Sequence, residues 1–318
     1  MSHTEVPTNT STMLFDAKGD DDQISPVSSH TPSQAQQATQ SPAPAQPNTK
    51  DFNHPNLAAL DDLQVLPKIL REGILFVASG PALLLQAAKP GASQVSNSNL
   101  TTELTTAFHA TITYIACLVF GTREEKAALL GRIRLGQPPL LTSQGLTRPD
   151  ADSQLWLVAT LYATATDFYQ RIYGTVDYPT AEAGFAEFST VLRHLTPTVL
   201  AQGSWPSSRN QFWKYWDEQV EGLRVSDEAQ RFAAELPSRA NELPGGVGYM
   251  KPFLRSLTIE MLPEKVREGY GLQSTAGTRT MYSTTIGLLK PCYPVLPKTW
   301  RSSPVKYYLE ELRNQINA

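Results

Sequence analysis

Hydrophobic side chains recur at three- and four-residue steps between residues 104 and 119, at Leu104, Phe108, Ile112, Ile115 and Val119. This spacing predicts an apolar α-helix. Thr122 is followed three residues later by Glu125, which is typical of a capping box at the start of a second helix. We expect the second helix to run toward Arg134 and to end before Pro138 and Pro139, because proline cannot continue it.

A longer apolar segment, from Leu155 to Ile172, carries hydrophobic side chains on more than one face, so we predict that it is the central helix. Gly174 is its expected C-terminal cap. Ser208 and Ser226 are expected to cap two later helices. Two or three short helices are expected after the Pro- and Gly-rich loop at 243–252. The chain has no convincing run of alternating β-branched residues, so the sequence predicts an all-α fold.

The first 52 residues differ in composition from the rest of the chain. They are rich in Ser, Thr, Pro, Gln and Ala and contain few large apolar side chains. Such a segment cannot bury enough apolar surface to offset the entropy that ordering would cost. The sequence therefore predicts a disordered tail at residues 1–52, followed by a single globular multi-helix domain at residues 53–318.

Composition and charge narrow the classes of partner and compartment. Hydrophobic residues make up 41% of the 318 residues, and the formal net charge of −3 gives no reason to expect a nucleic acid as partner. The two cysteines, Cys117 and Cys292, suggest no disulfide framework and fit a reducing compartment. The apolar stretch from Gly73 to Ala88 is shorter than the roughly 20 residues of a membrane span. We therefore predict a cytoplasmic protein with no transmembrane segment.

Several segments resemble one known family. The sequence T-I-T-Y-I at 111–115, followed by V-F-G-T-x-E-E at 119–125, is similar to the helical oxygenases typified by mpaB and the latex-clearing (rubber-oxygenase) proteins, in their fungal-type branch. Further similar segments follow in the same order at 71–91, 155–174, 212–218, 262–272 and 294–301. The resemblance covers roughly residues 60–312. It implies the helical fold of that family and leaves peripheral association with the endoplasmic reticulum open.

The resemblance also implies a haem site whose main groups are replaced here. Family members that cleave isoprenoid double bonds look like b-type haem proteins with an axial histidine, and a haem iron needs a strong axial donor. The family's histidines align with Lys89, with Asn97 or Ser98, and with Gln137, and its arginine aligns with Ala107. Glutamine is a poor haem ligand and alanine cannot pair with a propionate, so we expect no cofactor. Haem b is the alternative.

Two other histidines are the candidate ligands if haem is bound. His109 lies on the first apolar helix, two positions from Ala107 and Thr111, and so points to a different side of it. His194 lies near the end of a helix, where a cation is favoured by the helix dipole. No histidine or cysteine spacing typical of zinc or non-haem iron is found, so no other metal site is predicted.

Without haem, the scaffold is expected to keep an apolar pocket with a few polar groups that orient a hydrophobic molecule. The predicted catalytic residues are acids or bases whose pKa values burial could shift, namely Asp167, Tyr162, Lys89 and Tyr114. The predicted substrate-binding residues are Ala107, Thr111, Gln137, Phe108 and Val158. Asp167 is the only carboxylate in the apolar stretch from Leu155 to Ile172, and a buried carboxylate needs a partner or a role.

Three functions follow from this pattern. The favoured one is a haem-free enzyme that acts on an isoprenoid or polyketide-like intermediate of secondary metabolism, by a cyclisation, an isomerisation or a related acid–base step. The first alternative is a haem-dependent oxygenase that oxidises or cleaves an isoprenoid-type double bond. The second alternative is a non-catalytic accessory protein that binds a small molecule. In each case the expected partner is a hydrophobic small molecule.

Overall fold

The structure, a computed structural model, describes residues 57–91, 100–134, 151–195, 205–239 and 251–317. The predicted tail at 1–52 and the boundary at residue 53 lie outside these ranges. Within them every regular element is a helix and no strand occurs, which confirms the predicted all-α fold.

The α-helices follow one another in a single series. They are α1 (Ala58–Asp61), α2 (Leu66–Leu70), α3 (Ser79–Ala87), α4 (Leu100–Phe120), α5 (Arg123–Arg134), α6 (Ala151–Tyr173), α7 (Tyr178–Leu195), α8 (Arg209–Gly222), α9 (Asp227–Arg239), α10 (Lys251–Met261), α11 (Glu264–Gly269), α12 (Ala276–Cys292), α13 (Lys298–Arg301) and α14 (Ser303–Asn317). Two 3₁₀ helices lie at Gly73–Ala78 and Tyr293–Val295.

The predicted helix ends are confirmed by their capping bonds. The Thr122 hydroxyl accepts a hydrogen bond from the Glu125 N–H, and the Glu125 carboxylate accepts one from the Thr122 N–H at 2.9 Å. The Ser208 hydroxyl accepts from the Gln211 N–H, at the start of α8. Gly174 follows α6 with a φ of +89°, a left-handed conformation that favours glycine. Local chemistry therefore sets these boundaries before any packing is considered.

The C-terminal part differs from the prediction of two or three short helices. It contains α10 with 11 residues, α12 with 17 and α14 with 15, besides shorter segments. The prediction was wrong because a capping box at Thr275 and Thr278 starts α12, and the helix then continues to its last turn, where it tolerates Pro291.

The core forms around α4 and α6. Helix α6 packs against α3, α12 and the first 3₁₀ helix, while α4 packs against α3, α7, α9 and α14. Trp156 and Phe168, both fully buried on α6, belong to two separate hydrophobic clusters. The predicted central role of the segment from Leu155 to Ile172 agrees with this arrangement, since it contributes to both clusters.

Among the described helices, α4 meets the criteria of length and apolar composition for a helix that could cross a membrane. More than half of its apolar window is buried against the rest of the protein, and the core helix of a globular protein meets the same two criteria.

Candidate functional site

A largely apolar cavity of about 120 Å³ lies between α2, the first 3₁₀ helix, α4, α6 and α7. Leu66, Ile69 and Leu70 of α2 line one side. Arg209, the first residue of α8, and Val305, in the first turn of α14, complete the lining. Apolar walls of this kind favour the transfer of a hydrophobic group from water.

Small residues leave space where the helices meet. Ala116 on α4, Ala165 on α6, and Ala181 and Gly184 on α7 all line the cavity. A Cβ atom on Gly184 would lie 3.4 Å from a Val65 methyl group, so this position is already closely packed on the α2 side. Protein interiors otherwise fill to a density like that of organic crystals, so the remaining space follows from these short side chains.

Polar groups gather at one corner of the cavity. The Thr166 side chain lies one turn further along α6 from Tyr162, and its hydroxyl favours the ionised form of the Tyr162 phenol. The Arg209 guanidinium lies beside this corner and pairs with Glu182 of α7, with Nε 3.1 Å from Oε1. Tyr162, Thr166 and Arg209 all line the cavity. We call these three residues the polar corner.

Tyr162 keeps its proton at neutral pH. Its ring packs against Phe185, Phe188 and Phe212, with centroid distances of 4.8 to 5.5 Å. Burial raises the pKa of the Tyr162 phenol to about 12, although the nearby Arg209 charge favours the phenolate. The phenol is therefore a hydrogen-bond donor, and it is not a base that could take a proton from a substrate.

Of the residues predicted from the sequence, Tyr162 and Phe108 line this cavity together. On α4 the cavity is lined by Phe108, Ile112, Ile115, Ala116 and Phe120, which share one helical face. Ala107, Thr111 and Tyr114 lie on a different face, and the Thr111 hydroxyl donates to the Ala107 carbonyl at 2.8 Å. Val158 is buried in the core, and Gln137 lies outside the described residues.

Lys89 and Asp167 lie away from the cavity and have ionic partners. Lys89 Nζ lies 2.5 Å from the Asp152 carboxylate and donates to the Asp152 carbonyl. Asp167 is about one-third exposed, and its Oδ2 lies 2.8 Å from Arg171 Nε, one turn along α6. Arg171 in turn donates to the Tyr282 hydroxyl. The partner that the sequence analysis required for Asp167 is therefore Arg171.

Arg209 was missed by the sequence analysis, although one signal for it was present. A basic side chain at the first position of a helix opposes the helix dipole, which favours negative charge there. In the structure Glu182 compensates this charge, and the guanidinium also lies over the Tyr178 ring at 5.4 Å. A residue that is unfavourable for the local helix is often found at a functional site, where other interactions compensate its cost.

Comparison with known proteins agrees with this helical arrangement. A family model described as "ER-bound oxygenase mpaB/B'/Rubber oxygenase, catalytic domain" matches residues 67–290. The chain belongs to this family. The match includes most of the cavity walls, though Leu66 and Val305 lie outside it.

Relatives of this mpaB/rubber-oxygenase chain are found in mycobacteria. Uncharacterised proteins of Mycobacterium bovis and Mycobacterium tuberculosis are each 26% identical to it over 153 residues. That region is 45% of this chain and 59% of each relative, so the chain spans little more than half the length of these proteins. No solved structure matches the chain.

The described residues do not fit a haem in this cavity. His109 Nε2 lies 3.4 Å from the Glu311 carboxylate and its ring packs on Tyr308, whereas His194 Nδ1 bonds the Thr190 carbonyl at 2.9 Å. Neither histidine lines the cavity. Burial raises the pKa of the Cys117 thiol to about 12, which disfavours a thiolate ligand. The described residues also contain no group of three His, Cys, Asp or Glu side chains that could hold a metal.

Proposed function

We propose that this member of the mpaB/rubber-oxygenase family binds a hydrophobic small molecule with at least one carbonyl oxygen in the cavity and promotes its cyclisation or isomerisation without haem. An isoprenoid or polyketide-like intermediate has this chemistry. The observation that carries the proposal is an apolar cavity with a protonated phenol and a guanidinium at one corner.

The polar corner supports a definite role in the reaction. In a ring closure or rearrangement whose bonds form and break within the substrate, electron density moves onto a conjugated carbonyl oxygen in the transition state, and no base is needed to take a proton. Hydrogen-bond donors that already point at that position stabilise the charge, and they act strongly where water is excluded. Tyr162 donates its phenol proton in a hydrogen bond, and Arg209 supplies positive charge. Glu182 offsets the Arg209 charge, so the pair favours a neutral oxygen group over a carboxylate.

A haem-dependent oxygenase is the competing function, and one measurement separates the two. We expect the purified full-length protein, produced with a haem precursor in the medium, to show no Soret absorption band and no stoichiometric iron. The reason is that no histidine or cysteine is among the described cavity-lining residues, and burial raises the pKa of Tyr162 and of Tyr169, which disfavours a tyrosinate ligand. A Soret band with one iron per chain would contradict the haem-free proposal and would direct attention to His109 and His194.

Substitution of Tyr162 tests the catalytic role. Turnover is screened by mass spectrometry with a panel of isoprenoid and polyketide-type ketones and aldehydes. We expect Tyr162→Phe to lower kcat by about 10²- to 10³-fold, as for the loss of one oxyanion donor, with little change in KM. The phenyl ring still fills the same space, so folding is expected to be retained.

Two matched variants locate the site. Tyr114→Phe removes a hydroxyl on the other face of α4, and Asp167→Asn removes the charge paired with Arg171. We expect both variants to retain turnover. If Tyr114→Phe loses turnover while Tyr162→Phe does not, the site lies on the face of α4 that the sequence indicated. If Asp167→Asn loses turnover instead, the site includes the Asp167–Arg171 pair on α6. If all three bind the substrates but the wild type converts none, the protein is a binding protein.

A further inference from the structure

Helix α12 exposes one face along most of its length. The exposed residues on this face are Gly277, Thr280, Met281, Thr284, Gly287 and Leu288. They recur at steps of three and four residues, so on an ideal helix all six lie within about 60° of Thr284. We call these six residues the α12 stripe. Met281 is 42% exposed and Leu288 is 64% exposed, so no described helix covers the stripe. This spacing is typical of a helix face that packs against a second helix.

The α12 stripe carries no charge. The two charged residues of α12, Arg279 and Lys290, lie about 140° and 120° around the helix from Thr284 and so point away from the stripe. A helix face in contact with water normally carries charged and strongly polar side chains. A neutral, partly apolar face that is exposed on a folded helix therefore indicates an interaction surface.

The inner side of α12 is held firmly by the rest of the domain. The helix packs against α10 and α6, and Ile286 is buried in the second of the two hydrophobic clusters. The Thr278 hydroxyl donates to the Glu260 carboxylate at 2.7 Å, and the Tyr282 hydroxyl accepts from Arg171. The exposure of the α12 stripe is therefore a property of a helix that the fold fixes in place.

The α12 stripe has a projecting side chain at one end and a depression at the other. Leu288 is the projecting side chain. A shallow depression on the surface of α12 is bordered by Ala276, Gly277, Thr280, Met281, Thr284 and Thr285. Its middle lies level with Thr280 and Met281, about two turns or 11 Å along the helix from Leu288.

A second copy of the chain matches this pattern when its α12 runs antiparallel. With a twofold axis beside Thr284, Leu288 of each copy lies level with Thr280 of the other, because the two positions are four residues on either side of Thr284. Each leucine then meets the depression of the other helix, which is the knob-into-hole contact of packed helices. A twofold interface must be self-complementary in this way, since both copies contribute the same surface.

The antiparallel arrangement also gives Gly287 a role. Glycine within a helix is less favourable than alanine. A Cβ atom on Gly287 would meet no atom of the described residues within 4 Å, so no described neighbour in the same chain requires glycine there. In the antiparallel pair Gly287 lies level with Met281 of the other copy. A residue without a side chain at this position lets the two helix backbones approach closely.

We propose that the protein forms a homodimer through the α12 stripe, with the two helices antiparallel and Leu288 of each copy in the depression of the other. Arg279 and Lys290 point away from the contact, so the two copies meet without like-charge repulsion. A single pair of helices is a small interface, below about 1,200 Å², so we expect a reversible dimer with a dissociation constant of roughly micromolar order. The proposal does not depend on the reaction in the cavity.

Analytical ultracentrifugation of the full-length protein from about 1 to 200 µM tests for the dimer. Leu288→Glu is expected to raise the dissociation constant at least about 100-fold, because twofold symmetry removes the leucine twice and places two charges at an apolar contact. Gly287→Gln is expected to raise it at least about tenfold. The thermal midpoint of the Gly287→Gln monomer is not expected to fall, because its side chain enters open space and glutamine favours the helix.

The distance between two spin labels tests the direction of the helices. Cys292 is exposed and the other cysteine, Cys117, is buried, so a thiol-reactive label attaches at Cys292. Cys292 is eight residues from Thr284, so the two Cys292 residues of an antiparallel dimer lie about 24 Å apart along the helices. We expect a double electron–electron resonance distance of about 25–35 Å with the label arms included. A parallel pair in register would bring the two positions within about 15 Å.

A matched variant removes an exposed hydrophobic side chain elsewhere. Tyr307 on α14 is 47% exposed, and Tyr307→Ser is expected to dimerise like the wild type. A wild-type protein that sediments as a monomer at every concentration would overturn the proposal. So would a dimer that both Leu288→Glu and Gly287→Gln leave unchanged, because the contact would then lie on another surface. A label distance below about 15 Å would overturn the antiparallel arrangement.

Discussion

Glu72→Ala is expected to lower the free energy of unfolding by about 3–5 kcal/mol, because it leaves the Arg301 charge buried without its partner. The Glu72 side chain is 3% exposed and that of Arg301 is 10% exposed. Arg301 Nη1 lies 2.8 Å from each Glu72 carboxylate oxygen, and the Tyr173 hydroxyl donates to the same carboxylate at 2.7 Å. Chemical denaturation monitored by circular dichroism measures the change.

The chain segments around Glu72 and Arg301 have little room to move if one of these side chains is replaced. A Cβ atom on the adjacent Gly73 would lie 2.6 Å from the Arg301 carbonyl oxygen, so the two chain segments are in direct contact there. Burial and the neighbouring Glu72 charge both raise the pKa of Tyr173, which keeps its phenol protonated as a donor. Tyr173→Phe removes two hydrogen bonds, one donated to Glu72 and one accepted from Arg301, and we expect it to cost about 1.5–3 kcal/mol.

Two comparisons separate a buried ion pair from a general effect of removing charge. Glu218→Ala changes an exposed glutamate on α8 and is expected to leave the midpoint of denaturation unchanged. Glu72→Met combined with Arg301→Met is expected to recover much of the loss, because neither charge then remains unpaired. A loss below about 1 kcal/mol for Glu72→Ala would show that Arg301 finds water or another acceptor.

Phe212→Ala is expected to cost about 3–5 kcal/mol, as for other buried phenylalanines replaced by alanine. Phe212 is fully buried on α8, and its ring lies 5.4 Å from that of Trp205 and 5.1 Å from that of Trp213, centroid to centroid. It also packs edge-on against Tyr162 at 4.8 Å. Because that contact fixes the Tyr162 ring, ligand affinity is expected to fall together with stability.

A graded series checks this explanation. Phe212→Leu leaves a smaller void and is expected to lose much less stability than Phe212→Ala. Trp300→Ala removes a larger side chain that is 70% exposed, so thermal unfolding is expected to be little changed. If Phe212→Ala and Trp300→Ala were equally harmful, burial would not be the source of the effect.

The sequence predicted the helices well, and of its predicted site residues Tyr162 and Phe108 line the cavity. Amphipathic spacing identified α4 and α6, and capping chemistry placed the starts of α5 and α8. The family alignment directed attention to Ala107, Thr111 and Tyr114, whereas the cavity is lined by Phe108 and Ile112 on the neighbouring face of α4. A shift of one residue turns a helical side chain by about 100°, so the predicted residues and the cavity-lining residues lie on different faces of the same helix.

What the sequence determined by itself was local: helix periodicity, the caps at Thr122, Ser208 and Gly174, and membership of a helical family. The periodicity and the caps depend on interactions within about four residues, which the sequence displays directly. Family membership follows from the order of the similar segments along the chain. The tertiary structure alone decided that Arg209 and Glu182, 27 residues apart, meet beside Tyr162, and that Glu72 and Arg301, 229 residues apart, form a buried pair. Such contacts arise from how whole helices pack, so no spacing in the sequence predicts them.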